Sequence, residues 1–274
     1  MSLPKLPQQS GSGLIDHSDG RFARAVSLVR DLGPAEIIRR ARSSGLQGTL
    51  NFIGRNIRHQ IAHHQAKAFD RREGVDTAGS IQLNGLTIVG PNKAFGNEAV
   101  STSPKSFTWL LNQAPIPEGA TFVDIGCGKG RTVLLASQRF EQAVGVEFAS
   151  ELVTLAKQNT RAFANKHPDS GAMSIVCQDA ADYKFSDGPL LVYFYNPFSE
   201  ALFRQVIGNL VASLAANPRP CTVIYATGMN TQDWAERAVA GTGRFAMVNS
   251  GRTPSFSDAI RRLSYAIFTF SKPQ

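Results

Sequence analysis

A chain of 274 residues with 42% hydrophobic content can bury a proper core, enough for one large α/β domain plus an appendage or for two small domains. Three dispersed cysteines without C-x-x-C spacing argue against a disulfide framework and a zinc site, and Cys177 and Cys221, in apolar runs, read as buried thiols. The net charge is +8, and twelve Lys/Arg against five Asp/Glu within residues 1–72 put +7 of it in the first quarter of the chain. That excess suits an acidic partner, whether nucleic acid, membrane surface or acidic protein, or else a solvated basic face. No run approaches the roughly 18 uninterrupted apolar residues of a membrane span, and no basic-then-apolar signal opens the chain, so a cytoplasmic protein is expected.

Residues 1–20, with Pro4, Pro7 and Ser10-Gly11-Ser12-Gly13, read as a disordered leader. Residues 21–100 read as a basic helical extension and connector. Short helical patterns cover 21–30 and 34–42. A longer one places Leu46, Leu50, Ile53, Ile57 and Ile61 on one stripe and Arg55, Arg58, His59 and His63 largely off it. His59 and His63 have the spacing of a metal pair, but no third ligand accompanies them, so no metal site is expected. Asn84-Gly85 between Ile81–Leu83 and Leu86–Val89 predicts a hairpin. Ser101-Thr102-Ser103-Pro104 then opens a helix through Phe107 and Leu111 that Pro115 and Pro117 end.

From residue 101 to 274 strands and helices alternate. Strands are expected near Thr121–Ile125, Ala143–Val146, Ser174–Cys177, Leu190–Tyr195, Thr222–Ala226, Phe245–Val248 and Ser264–Phe270, with helices near Glu151–Phe163, Ser199–Ala215 and Thr231–Val239. This spacing predicts a doubly wound, seven-stranded, mostly parallel sheet. In such a sheet ligands sit beyond the carboxyl ends of the strands, so polar residues there are candidates. Four consecutive strand ends carry one. The first is Asp124 with Gly126, Cys127, Gly128 and Gly130, a turn that brings bare backbone N–H groups to a ligand. The second is Glu147, 23 residues after Asp124, near the spacing at which an acid receives ribose hydroxyls. The third is Asp179-Ala180, and the fourth Tyr195-Asn196-Pro197-Phe198. Along that last strand Tyr193 and Tyr195 share one side and Phe194 and Asn196 the other, so the run is expected to line two faces of a pocket mouth.

Asp124 to Gly130, D-x-G-x-G-x-G, differs from the dinucleotide fingerprint because its third glycine comes one residue early and an acid precedes the first. It resembles motif I of the class I S-adenosylmethionine (SAM)-dependent methyltransferases, and residues 101–270 look like one such domain. The resemblance implies a Rossmann-like fold whose last strand enters antiparallel. It assigns Asp124 and the glycines to the methionine moiety, Glu147 to the ribose and Asp179 to the adenine. Thr102, Ser103 and Lys105 become contacts from the segment before motif I, which commonly closes over SAM in that family. Asn196-Pro197-Phe198 is similar to the Asn-Pro-Pro-Phe/Tyr motif of amino-group methyltransferases but lacks its second proline. With the Gly-Cys-Gly-Lys-Gly-Arg turn it looks closer to bacterial relatives of DOT1-like protein-lysine methyltransferases. The implied reaction is methyl transfer to nitrogen, first a protein lysine. The alternatives are a nucleic-acid or small-molecule acceptor, and a SAM-binding scaffold without catalysis.

Overall fold

The computed structural model describes residue 45 and residues 65–228, 232–254 and 262–270. The leader, the helical patterns of 21–63 and the pair His59 and His63 lie outside the described residues, apart from Gly45. The first described run is the end of a helix, α1, over 65–73. A connector follows, with two short antiparallel strands, β1 (Ser80–Ile81) and β2 (Ala99–Val100).

The body is a seven-stranded sheet formed by β3 (Thr121–Ile125), β4 (Gln142–Glu147), β5 (Ala172–Cys177), β6 (Leu190–Tyr195), β7 (Cys221–Thr227), β8 (Phe245–Arg252) and β9 (Ser264–Phe270). Its spatial order is β5-β4-β3-β6-β7-β9-β8. The pairs among β3 to β7 are parallel, and β9 enters antiparallel between β7 and β8. The doubly wound sheet is as the alternation of strands and helices predicts, and the reversed last strand is as the resemblance implies. Five helices complete the layers: α2 (Pro104–Gln113), α3 (Arg131–Ala136), α4 (Ser150–Lys166), α5 (Glu200–Ala216) and α6 (Gln232–Ala240).

The central strands are continuous apolar runs because helices cover both faces. On β6, Leu190, Val192 and Phe194 join the core under α5 and α6, whereas Leu191 and Tyr193 join the core that holds Phe107, Phe122 and Val133. The order reverses at β3, where β4 lies on one side and β6 on the other. That switch point opens a crevice at the carboxyl ends of the strands.

Three expectations are corrected. The Asn84-Gly85 turn forms, with Gly85 at φ 88°, but its arms do not pair. Ile81 pairs with Ala99, and Ile88 bridges to Ala149, because Leu83, Leu86 and Ile88 bury themselves against Phe148, Ala149 and Leu152 rather than against each other. Cys177 is exposed, at the end of an edge strand; Cys221, on the central β7, is buried. Tyr193 lines no pocket mouth. It is fully buried, packed edge-on against Phe107 and hydrogen-bonded to Thr102 (2.9 Å).

Candidate active site at the strand ends

A cleft lies at the switch point. One wall is the sheet's carboxyl edge: Gly126-Cys127-Gly128-Lys129 after β3, Glu147-Phe148 after β4, Gln178-Asp179-Ala180 after β5, and Tyr195, Pro197 and Phe198 at the end of β6. The other wall is the connector: Ile81, Leu83 and Asn97 to Ser101.

The turn after β3 closes tightly. Gly126 has φ 81°, a left-handed value, and a Cβ there would collide with the Pro197 ring. Only glycine lets the first and fourth strand ends approach so closely. Behind the turn, Asp124 is buried and accepts a hydrogen bond from the Thr132 hydroxyl. Burial pushes its carboxyl up to about 7, against the Thr132 hydrogen bond and with help from the nearby Glu147. Neither Asp124 nor Gly130 is on the cleft wall.

Glu147 is held on three sides. Its Oε1 accepts from the N–H of Phe148 and Ala149 (2.9 Å each), and its Oε2 from Gly128 N–H (2.9 Å). Burial raises its pKa, and the three N–H groups oppose the shift. Asp179 accepts from Ala181 N–H (3.0 Å) on Oδ1 and from the Asn92 side-chain amide (2.9 Å) on Oδ2.

At the β6 end, Asn196 has φ 43°, which asparagine tolerates better than most residues. Its Oδ1 accepts from the Tyr225 hydroxyl (3.0 Å), and its carbonyl from the Asn97 side chain (2.9 Å). The backbone N–H of Asn97 donates to Pro197 O (3.0 Å), Gly96 bridges to Phe198, and Ser199 N–H donates to Phe95 O (2.8 Å). The connector therefore runs antiparallel along the Asn-Pro-Phe turn.

Of the residues singled out from sequence, Gly126, Cys127, Gly128, Glu147, Asp179, Ala180, Tyr195, Pro197 and Phe198 meet around one cleft. Thr102, Lys105 and Asn196 do not line it: Thr102 is turned to Tyr193, Ser103 caps α2, and Lys105 is exposed. The part of the preceding segment on the wall is Asn97 to Ser101. Sequence reasoning also missed Lys129. A charged side chain inside a glycine turn was the available signal.

A second tier of contacts ties the connector to the turn. Arg131, 3% exposed, donates to Thr77 Oγ1 (2.7 Å) and pairs with Asp70 (3.4 Å). Asp70 also accepts from the hydroxyl (2.6 Å) and N–H (2.8 Å) of Thr77. Asn159 on α4 clasps both Asp76 and the Lys129 carbonyl.

Residues 122–217 match the family described as a methyltransferase domain. A 51-residue stretch is 41% identical to the trans-aconitate 2-methyltransferase of Azoarcus sp. (strain BH72), covering 18% of this chain and 20% of that protein. The chain thus matches about a fifth of that curated relative's length. The glycopeptide N-methyltransferase MtfA, solved with S-adenosyl-L-methionine, superposes with a TM-score of 0.50 at 8% identity over 63% of this chain and 89% of that one. TrmN from Thermus thermophilus gives 0.48 at 15% identity over 62% and 49%. At 8% identity the likeness to MtfA is one of fold. Among the described residues no helix is long and apolar enough to cross a membrane, and no cluster of three or more His, Cys, Asp or Glu could hold a metal.

Proposed function

We propose that the chain is a methyltransferase that takes its methyl group from S-adenosylmethionine and gives it to a nitrogen, first a protein lysine. The observation that carries the cofactor half is that the methyltransferase-domain match and the switch-point cleft coincide on the same strand ends. The donor set fits the cofactor: a backbone turn without bulk for the amino-acid end, and one acid at each of the next two strand ends for the nucleoside.

When bound, S-adenosylmethionine supplies a methyl group on a sulfonium, ready for in-line displacement. The chain's part is alignment, which can contribute roughly 7–11 kcal/mol. Glu147 receives the ribose hydroxyls. Its carboxylate is already fixed by three N–H groups, and Oε2, accepting one hydrogen bond from Gly128 N–H, retains a lone pair. Asp179 and Ala180 receive the adenine, with the Asn92 amide steadying Asp179 from the connector side. Gly126 to Gly128 receive the methionine, and Asp124 braces the turn from behind through Thr132.

For the acceptor, Tyr195, Pro197 and Phe198 offer an apolar vestibule, which disfavours a charged amine and so helps a lysine lose its proton. Glu98, beside them on the connector, has no partner among the described residues and suits the approach of an ammonium. Asn196, whose Oδ1 would be one of the two oxygens that clamp an exocyclic –NH₂, is off the cleft wall, with that oxygen turned to Tyr225. This favours an aliphatic amine over a nucleobase.

Two measurements test the halves separately. Glu147→Ala should weaken S-adenosylhomocysteine binding about tenfold or more, the loss of one charge-assisted hydrogen bond; unchanged affinity overturns the ribose role. Label from methyl-labelled S-adenosylmethionine, followed into a lysate lacking the endogenous protein, should be released by protease and spared by nuclease. Nuclease-sensitive or solvent-extractable label overturns the lysine reading and leaves the cofactor half standing.

A further inference from the structure

Three acids, Glu98, Glu147 and Asp179, line the cleft, and among the described residues Lys129 is the one cationic residue that does. It sits inside the glycine turn and is 8% exposed. A lysine seldom goes so deep unless its ammonium is partnered. Two partners are present: the Asp76 carboxylate at 3.0 Å and the Ala78 carbonyl. Both belong to the connector, and Asp76 is itself held by Asn159 through its N–H (2.8 Å) and its carbonyl (2.8 Å). An ammonium has three N–H donors, so this clamp fixes the head group and leaves one donor beyond these two partners. Arg131, the other cation of the turn, is spent on Thr77 and Asp70 and does not reach the cleft wall.

We infer that Lys129 is the residue that reads the carboxylate of the cofactor's amino-acid end, held in place by Asp76 and Ala78. The inference rests on the cofactor reading proposed above and extends it to a residue and a chemical group. The ligand carries one carboxylate, and the wall of an otherwise acidic cleft carries one cation. A preorganised ammonium costs little further ordering when the carboxylate arrives. Connector and cofactor would then share this side chain, so that docking of residues 76–78 and binding of the amino-acid end support each other.

The test compares three ligands on the full chain by calorimetry: S-adenosylmethionine, its decarboxylated analogue, which lacks only the carboxylate, and 5′-methylthioadenosine, which lacks the whole amino-acid end. The wild-type chain should bind the decarboxylated analogue at least about tenfold more weakly than S-adenosylmethionine, as expected for loss of a charge-assisted hydrogen bond. Lys129→Met should bring those two ligands to within about twofold of each other and leave 5′-methylthioadenosine unchanged. Equal binding of both by the wild-type chain overturns the inference without any variant having to fold. A Lys129→Met loss shared equally by all three ligands overturns it too, leaving Lys129 as a support for the turn. If the wild-type chain binds none of the three, the cofactor reading fails, a different result from failure of the Lys129 assignment.

Discussion

The two walls of the cleft are built by different means. The sheet wall hangs from parallel strands whose registers are fixed by backbone ladders, with β3 held between β4 and β6. The connector wall has two residues of strand on each side and a few isolated backbone bonds, and side chains supply much of the rest: Asp70 to Thr77 and Arg131, Asp76 to Lys129 and Asn159, Asn92 to Asp179, Asn97 to Asn196. A ladder spreads its energy over many equivalent bonds, so one side chain matters little. Where a connector contact is buried, as between Asp70, Thr77 and Arg131, the energy is concentrated and a single substitution should be felt most.

The largest effect is expected at Asp70. Replacing it by Ala leaves the guanidinium of Arg131 buried without its counter-ion and should cost about 3–5 kcal/mol in chemical denaturation. Burial already lowers the Arg131 pKa, with Asp70 as the main opposing influence. A loss below about 1 kcal/mol would mean that the connector is a passenger on the domain. Next comes the one place where the sheet wall depends on a single residue. Gly126→Ala should incur roughly 1–2 kcal/mol for a left-handed backbone and about 1–3 kcal/mol for overlap with Pro197. Binding of S-adenosylhomocysteine should fall with it. If denaturation and affinity are both unchanged, the close approach of the first and fourth strand ends is not required.

The same contrast marks how far sequence reading reached. The sheet wall was legible because each of its strands is a short apolar run followed by a polar residue, and the topology rule turns strand ends into a site. Glu147 and Asp179 followed from that alone. The connector wall has no period. Asn84-Gly85 carries a true turn signal, but the flanking Leu86 and Ile88 have a better apolar partner in Phe148, Ala149 and Leu152, sixty or more residues away in sequence. Thr102 and Lys105 are expected contacts because the resemblance has the segment before motif I close over SAM, whereas the chain reaches the cleft slightly earlier, at Asn97 to Ser101. Tyr193 shows the limit of strand alternation, which tells which side a residue faces but not whether that side is open. Here α2 covers it with Phe107. Lys129 escaped notice because its partners, Asp76 and Ala78, come from a stretch without regular structure.

Asp124 gives a pH-dependent handle on the sheet wall. Its folded-state carboxyl is raised from the ordinary 3.8 to about 7, so folding takes up a proton between those values. Stability from this group is therefore fully present below about 4 and is lost as pH rises to about 7, by an amount on the order of a few kcal/mol. Asp124→Asn keeps a neutral side chain able to accept from Thr132 and should flatten that slope. Measured as wild type minus variant by urea denaturation at pH 5 and pH 8, the difference should shift against the wild type at the higher pH. A pH-independent difference would place the Asp124 carboxyl at an ordinary value and remove the reason for treating it as a buried brace.

The smallest effect is expected at Asn97, and it separates two ways in which the connector can matter. The side-chain bond from Asn97 to the Asn196 carbonyl is exposed and neutral, so Asn97→Ala should cost only about 0.5–1.5 kcal/mol. The backbone bond from Asn97 to Pro197 O survives the substitution, which keeps the strand-end turn covered. S-adenosylhomocysteine affinity should therefore stay within about twofold, because Glu147, Asp179 and the glycine turn are untouched. Transfer of label to acceptor should fall, since Asn196, at φ 43°, loses the side chain that steadies its carbonyl beside Pro197 and Phe198. If affinity for S-adenosylhomocysteine falls as far as transfer does, the connector acts on the whole cleft at once. If transfer alone falls, the connector divides its work: Asp76 and Asn92 serve the cofactor end, and Asn97 serves the acceptor end.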